Sequence, residues 1–154
     1  MKTTTLFLCL ILLAGLISLP RQARATLGEG AASIARDRQA LSAVKKATTS
    51  HTKYTVQEVA SDAATVRQYL NSSGVVFAVA WNGLVHPDLS TLLGSYASEY
   101  QDAKRKAARK HGQKRLKVQG DRVIVETWGH MRNLQGRAYL PSLMPEGVSV
   151  DEIN

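Results

Sequence analysis

The stretch that most constrains the fold is Val75–Trp81, VVFAVAW, which is apolar at every position and β-branched at three. Seven such residues are too few for a typical buried helix, and the β-branching favours an extended chain. An uninterrupted apolar strand has no face for water, so it belongs in the middle of a sheet with both faces covered. Asn82-Gly83 ends it with turn chemistry.

The flanking sequence supplies the rest of a sheet. Tyr54–Val59 and Thr65–Leu70 alternate in polarity, with ASDAA between them and NSSG before the apolar run. Pro87 and Asp88 suit the start of a helix. Leu89, Leu92, Leu93, Tyr96, Tyr100, Ala103 and Ala107 then recur at helical spacing, and His111-Gly112 supplies a stop. Gly94 is a weak point, costing about 1 kcal/mol relative to Ala. Leu116–Gln119 and Arg122–Trp128 read as a hairpin across Gly120-Asp121, and Leu134–Leu140 as a last strand. Pro141 and Pro145 bracket an irregular tail. The expected fold is α+β: an antiparallel β-sheet of about five or six strands, ordered β-β-β-α-β-β-β, with one long amphipathic helix (Pro87–His111) packed on one face. Residues 51–154 form that single domain. Residues 26–50, rich in Ala, Gly, Ser and Thr, are expected as a flexible lead-in with a short helix over Ala32–Lys46.

The N-terminus reads as a signal peptide over residues 1–25. Lys2 precedes an apolar or small-residue run from Leu6 to Leu19, Pro20 breaks it, and Ala23-Arg24-Ala25 has the small-x-small form of a cleavage site. The run is short of the roughly 20 apolar residues a bilayer span needs. Cleavage near Ala25 sends the protein to the periplasm or outside the cell, with no transmembrane span in the mature chain. It also removes Cys9, the only cysteine, and with it any disulfide, thiolate metal site or cysteine nucleophile. Loss of Lys2, Arg21 and Arg24 lowers the net charge from +8 to +5.

YTVQEV, VRQYLNSSGVVFAVAWNG, PDLSTLLGSY and GRAYLPSLMPEGVSVDEI together resemble a family of small exported proteobacterial proteins, catalogued only as a domain of unknown function. The Gly74–Gly83 and GRAYLPSLMPEGV stretches are the most specific. The resemblance implies export, a bacterial source and one small domain. It carries over no activity, cofactor or catalytic residue.

Few residues point to catalysis. Ser42-Ala43-Val44-Lys45 and Ser50-His51-Thr52-Lys53 both match Ser-x-x-Lys, but the chain lacks the Ser-Asp-Asn and Lys-Thr-Gly elements that motif works with. His51, His86, His111 and His130 show no metal-ligand spacing, so no metal or cofactor is expected. Glu126 shares a strand face with Ile124 and Trp128. It is either a buried acid of raised pKa or, as the pattern favours, a solvent-facing one with Val123, Val125 and Thr127 inward. Trp81, His86, Trp128 and His130 lie at strand ends or turns and offer one ligand pocket, for a small binding module or a hydrolase.

The remaining feature is KRKAARKHGQKRLK, Lys104–Lys117, with eight basic residues and no acidic one: Lys104, Arg105, Lys106, Arg109, Lys110, Lys114, Arg115 and Lys117. Dense cations suggest phosphate contacts. Export and the lack of aromatics to stack on bases argue against nucleic acid, leaving extracellular nucleic-acid binding as a further alternative. An exported basic segment meets anionic lipid, lipopolysaccharide or an acidic protein instead. No large apolar residue separates the cations of the helical part, so binding through it would be peripheral. Alternatively, the run only solvates a protruding helix end. The resulting reading is a non-catalytic envelope-associated module with a basic anion-binding segment.

Overall fold

The computed structural model describes residues 27–107 and 115–154. In chain order the elements are helix α1 (Ala32–Ala40), strands β1 (Val44–Ser50), β2 (Tyr54–Ala60), β3 (Ala64–Asn71) and β4 (Val76–Gly83), helices α2 (Leu89–Leu93) and α3 (Ala97–Lys106), and strands β5 (Arg115–Gln119), β6 (Ile124–His130) and β7 (Asn133–Tyr139). Short 3-10 turns occupy Gly94–Tyr96, Pro141–Leu143 and Val150–Glu152.

The strands make one antiparallel sheet in the order β1-β2-β3-β4-β7-β6-β5. The apolar run thus becomes β4, the middle strand, with Val76–Ala80 at 0–1% exposure and Trp81 at 2%. The sheet has seven strands rather than five or six. The additional strand is β1, inside the stretch expected as a flexible lead-in. VKKATTS shows no apolar alternation, because an edge strand needs a partner on one side only. The preceding helix ends at Ala40, not Lys46, and Ser42 at φ +49° turns the chain into β1. Leu27 and Ile34 are buried, so this segment packs into the core.

A bulge decides which β4 side chains face which layer. Tyr69 pairs with Ala78 but Leu70 with Val76, leaving Phe77 as the extra residue. Val76, Val79 and Trp81 consequently join the layer under the helices, with Leu92, Leu93 and Tyr100. Phe77, Ala78 and Ala80 join the opposite layer, with Tyr69, Tyr139 and Ile153. That second face is covered by the C-terminal tail, through Leu143, Met144, Val148, Val150 and Ile153. Among the described residues both layers are built from residues 27–153.

The long helix is broken where glycine weakens it. Gly94 adopts φ +48°, ψ −113°, a conformation costly for residues with a Cβ. The sharp turn lets α3 run back across the sheet. Glu99, in its first turn, accepts from the backbone N–H groups of Arg122 (2.6 Å) and Val123 (3.2 Å) at one end of the sheet. Three backbone and side-chain bonds from that turn outweigh burial and hold the Glu99 carboxyl below its usual pKa. The helix ends at Lys106, not His111, because Ala107 is already extended (ψ 117°). The expected His111-Gly112 stop lies outside the described residues.

Candidate anion-binding end

Sheet register determines what the two ends of the molecule carry. β4 finishes at Gly83, which pairs with Ala64 on β3 and Leu134 on β7. Leu134 also pairs with Gly129, so the β6–β7 hairpin tip, Met131-Arg132, lies at this end. Val44 pairs with Ala60 here, and Arg115, opposite Trp128, starts β5 from the same end. Lys104, in the last turn of α3, is close enough to His86 for its charge to act on the imidazole, while Lys106 and Ala107 line a groove with Gln119, Gly120 and Asp121.

This end therefore carries Arg115 from β5 and Arg132 from the hairpin tip, with Lys104 of α3 near His86. Arg105 and Lys106 are exposed and Lys104 is half-buried. Arg105 pairs with Asp102 on the helix surface, an exposed contact of small energetic weight. Lys104 lies over the Tyr100 ring at 5.6 Å, and Arg115 over Trp128 at 5.3 Å. Arg109, Lys110 and Lys114 fall outside the described residues. Lys117 differs from the rest: it bonds Glu126 at 3.1 Å, inside the fold's own ion network.

Trp81, His86, Trp128 and His130 do not share one wall. Trp81 opposes Gly136, as does Thr127, while Trp128 opposes Gln135. Neighbouring residues along a strand point to opposite faces, so the two indoles lie on opposite sides of the sheet. Trp81 donates from Nε1 to His86 Nδ1 at 3.0 Å, with the rings edge-on. Partial burial, then the charge of Lys104, lowers the His86 pKa and keeps it a neutral acceptor. Trp128 donates to Gln135 Oε1 at 3.0 Å and lies 5.5 Å from the Arg137 guanidinium. His130 is exposed at the hairpin tip.

Glu126 is buried, at 6% exposure, against the bland expectation of a solvent face. Val123 and Val125 do point under the helices, but the face opposite them is covered by the tail. Burial pushes the Glu126 pKa up, yet the bonds from Arg137 and Lys117 outweigh it and hold the carboxyl below its usual value. Arg137 donates from Nε at 2.8 Å and contacts the same oxygen through Nη2 at 2.7 Å. Its Nη1 donates to the Val150 carbonyl at 2.7 Å. The residue pattern that suggested a site thus forms the clasp of the tail.

Two concavities were not expected from the sequence. One, about 240 Å³, is lined by His51, Tyr54, Arg67, Tyr69 and Glu152 among others. Its polar groups are spent on one another: Tyr54 donates to Glu152, Arg67 to Glu58, and Tyr69 to the Asn154 carbonyl. The other, about 570 Å³, is an open groove beside α3 with Glu99, Asp102 and Asp121 on its walls. Among the described residues no cluster of three or more His, Cys, Asp or Glu could hold a metal ion, and no helix is long and apolar enough to cross a membrane.

These features define a small α+β domain: an antiparallel seven-stranded sheet with helices on one face and a tail clasped to the other. The chain belongs to the family described as protein of unknown function DUF2844, whose profile matches residues 23–153. No curated protein and no solved structure matches it.

Proposed function

We propose that this protein is exported and works as a non-catalytic envelope-associated module, binding an anionic surface or an acidic partner through its basic end. The observation that supports the reading is the density of cations in the basic segment, Lys104, Arg105 and Lys106 closing α3 and Arg115 opening β5, with Lys104, Arg115 and Arg132 near one end of the sheet. Like charges gathered this way repel one another and weaken the fold slightly, while raising the local concentration of anions. The sequence adds Arg109, Lys110 and Lys114 between α3 and β5. The leader-like residues 1–25 support delivery to the periplasm or beyond.

The test is a binding panel with residues 26–154: anionic and neutral lipid vesicles, lipopolysaccharide, polyglutamate and DNA, each at low and high salt. A second form carries Gln at 104, 105, 106, 109, 110, 114 and 115. The reading predicts salt-sensitive binding to anionic species that the Gln form loses. Equal binding by both forms, or none, refutes it.

A further inference from the structure

The four large apolar residues that stand exposed among the described residues are Val44 (72%), Leu84 (54%), Val85 (52%) and Met131 (83%). All four lie at the end of the sheet that carries Arg115 and Arg132. Val44 begins β1 there, Leu84-Val85 follow β4 directly, and Met131 is at the β6–β7 tip. Leu84 and Arg132 line the same shallow concavity, so the two loops are neighbours. Arg132 sits at φ +59°, in the left-handed region that a residue with a Cβ enters at a cost. That turn projects Met131 from the tip, the most exposed of the four.

From this we infer that this end of the sheet is a membrane-docking surface, in which Leu84, Val85 and Met131 insert among the lipids of an anionic phospholipid bilayer while Lys104, Arg115 and Arg132 bind its headgroups. The inference rests on the anionic-surface reading above and makes its partner specific. Chemistry favours a bilayer over an acidic protein or a soluble polyanion. A polyanion rewards cations alone and gives no return for apolar tips held in water. A bilayer presents negative charge at the headgroups and hydrocarbon several ångströms below, the same order as cations flanking protruding apolar tips. The helical part of the basic segment lacks large apolar residues of its own, and the fold brings them from two distant loops.

The test uses residues 26–154, which contain no cysteine. Met131→Cys carries an environment-sensitive fluorophore, and Asp121→Cys carries it at the opposite end of the sheet. Vesicles are of phosphatidylcholine alone or mixed with phosphatidylglycerol. On mixed vesicles the label at 131 shifts to the blue and is quenched by lipids brominated on the acyl chain, while the label at 121 stays water-like. Changing Leu84, Val85 and Met131 together to Ser weakens binding by about tenfold or more, with an unchanged melting temperature showing that the fold is intact.

A water-like label at 131 on fully bound protein, with high salt releasing all of it, overturns insertion while leaving the electrostatic reading in place. Binding to lipopolysaccharide or polyglutamate but not to the mixed vesicles overturns it in the same way. Failure to bind any anionic species sinks both.

Discussion

Replacing Glu126 with Ala is expected to remove about 3–5 kcal/mol of stability, the usual cost of breaking a buried ion pair from one side. The figure follows from the surroundings. The Glu126 and Arg137 side chains are only 8% and 14% exposed, and two Arg137 nitrogens contact one carboxylate oxygen. Without the acid, the guanidinium stays buried against the tail carbonyls of Val150 and Ile153 and the Trp128 ring, with the exposed Asp151 carboxylate 3.9 Å away as its one remaining acid among the described residues. Lys117 is half exposed, and its bond to Glu126 adds no more than about 1 kcal/mol. In a domain of this size each kcal/mol moves the melting temperature by roughly 3–5 °C, so a fall of roughly 10–20 °C is expected. Urea unfolding followed by circular dichroism measures it, and a cycle with Arg137→Ala isolates the pair. The double variant should lose about 2 kcal/mol less than the sum of the singles. A single-variant loss below about 1 kcal/mol, or strict additivity, refutes the clasp as described.

Acid should weaken the fold through the same group. Glu126 and Glu99 have depressed folded pKa values, so their contribution is complete above the unfolded carboxylate value of about 4.3 and is lost as pH falls through the folded values. A melting temperature level above about pH 5 and falling below about pH 4 meets this expectation; a level profile down to pH 2 does not. Gly136→Ala should cost about 1–3 kcal/mol in urea unfolding, since the new Cβ would collide with the Trp81 ring and the Glu126 carbonyl. Arg132→Gly should stabilise the fold by up to about 1 kcal/mol, relieving the positive φ, while weakening binding to anionic vesicles. Thermal melts and vesicle sedimentation on one preparation check both halves.

The sequence was legible where one residue's neighbours decide its place. Val75–Trp81 read as a central strand and the stripe from Leu89 to Ala107 as a face packed on the sheet; the strand is central from Val76, and the stripe packs on the core as far as Ala103. The same local logic marked Gly94 as weak, though not that the chain would turn there and send α3 back. β1 was hidden because an edge strand at the rim has no apolar face to show. The burial of Glu126 was hidden because it depends on a tail that arrives from residues 141–153 and on Arg137, 11 residues away, meeting it by register. The basic run was plain in the sequence. The exposed apolar tips were not, because Leu84, Val85 and Met131 reach the end of the sheet where Arg115 starts β5 only through the β4–β7 and β6–β7 pairings. The separation of Trp81 from Trp128 has the same origin: one step in register puts them on opposite faces.

The central claim is that the basic end holds the protein to anionic surfaces. Its most direct test compares residues 26–154 with the Lys104→Gln, Arg105→Gln, Lys106→Gln form on phosphatidylglycerol-containing vesicles across a salt series. At about 1 kcal/mol per cation near such a surface, the triple form should bind on the order of a hundredfold more weakly at low salt, with a shallower salt dependence. Affinities and salt slopes that coincide for the two forms would contradict the account.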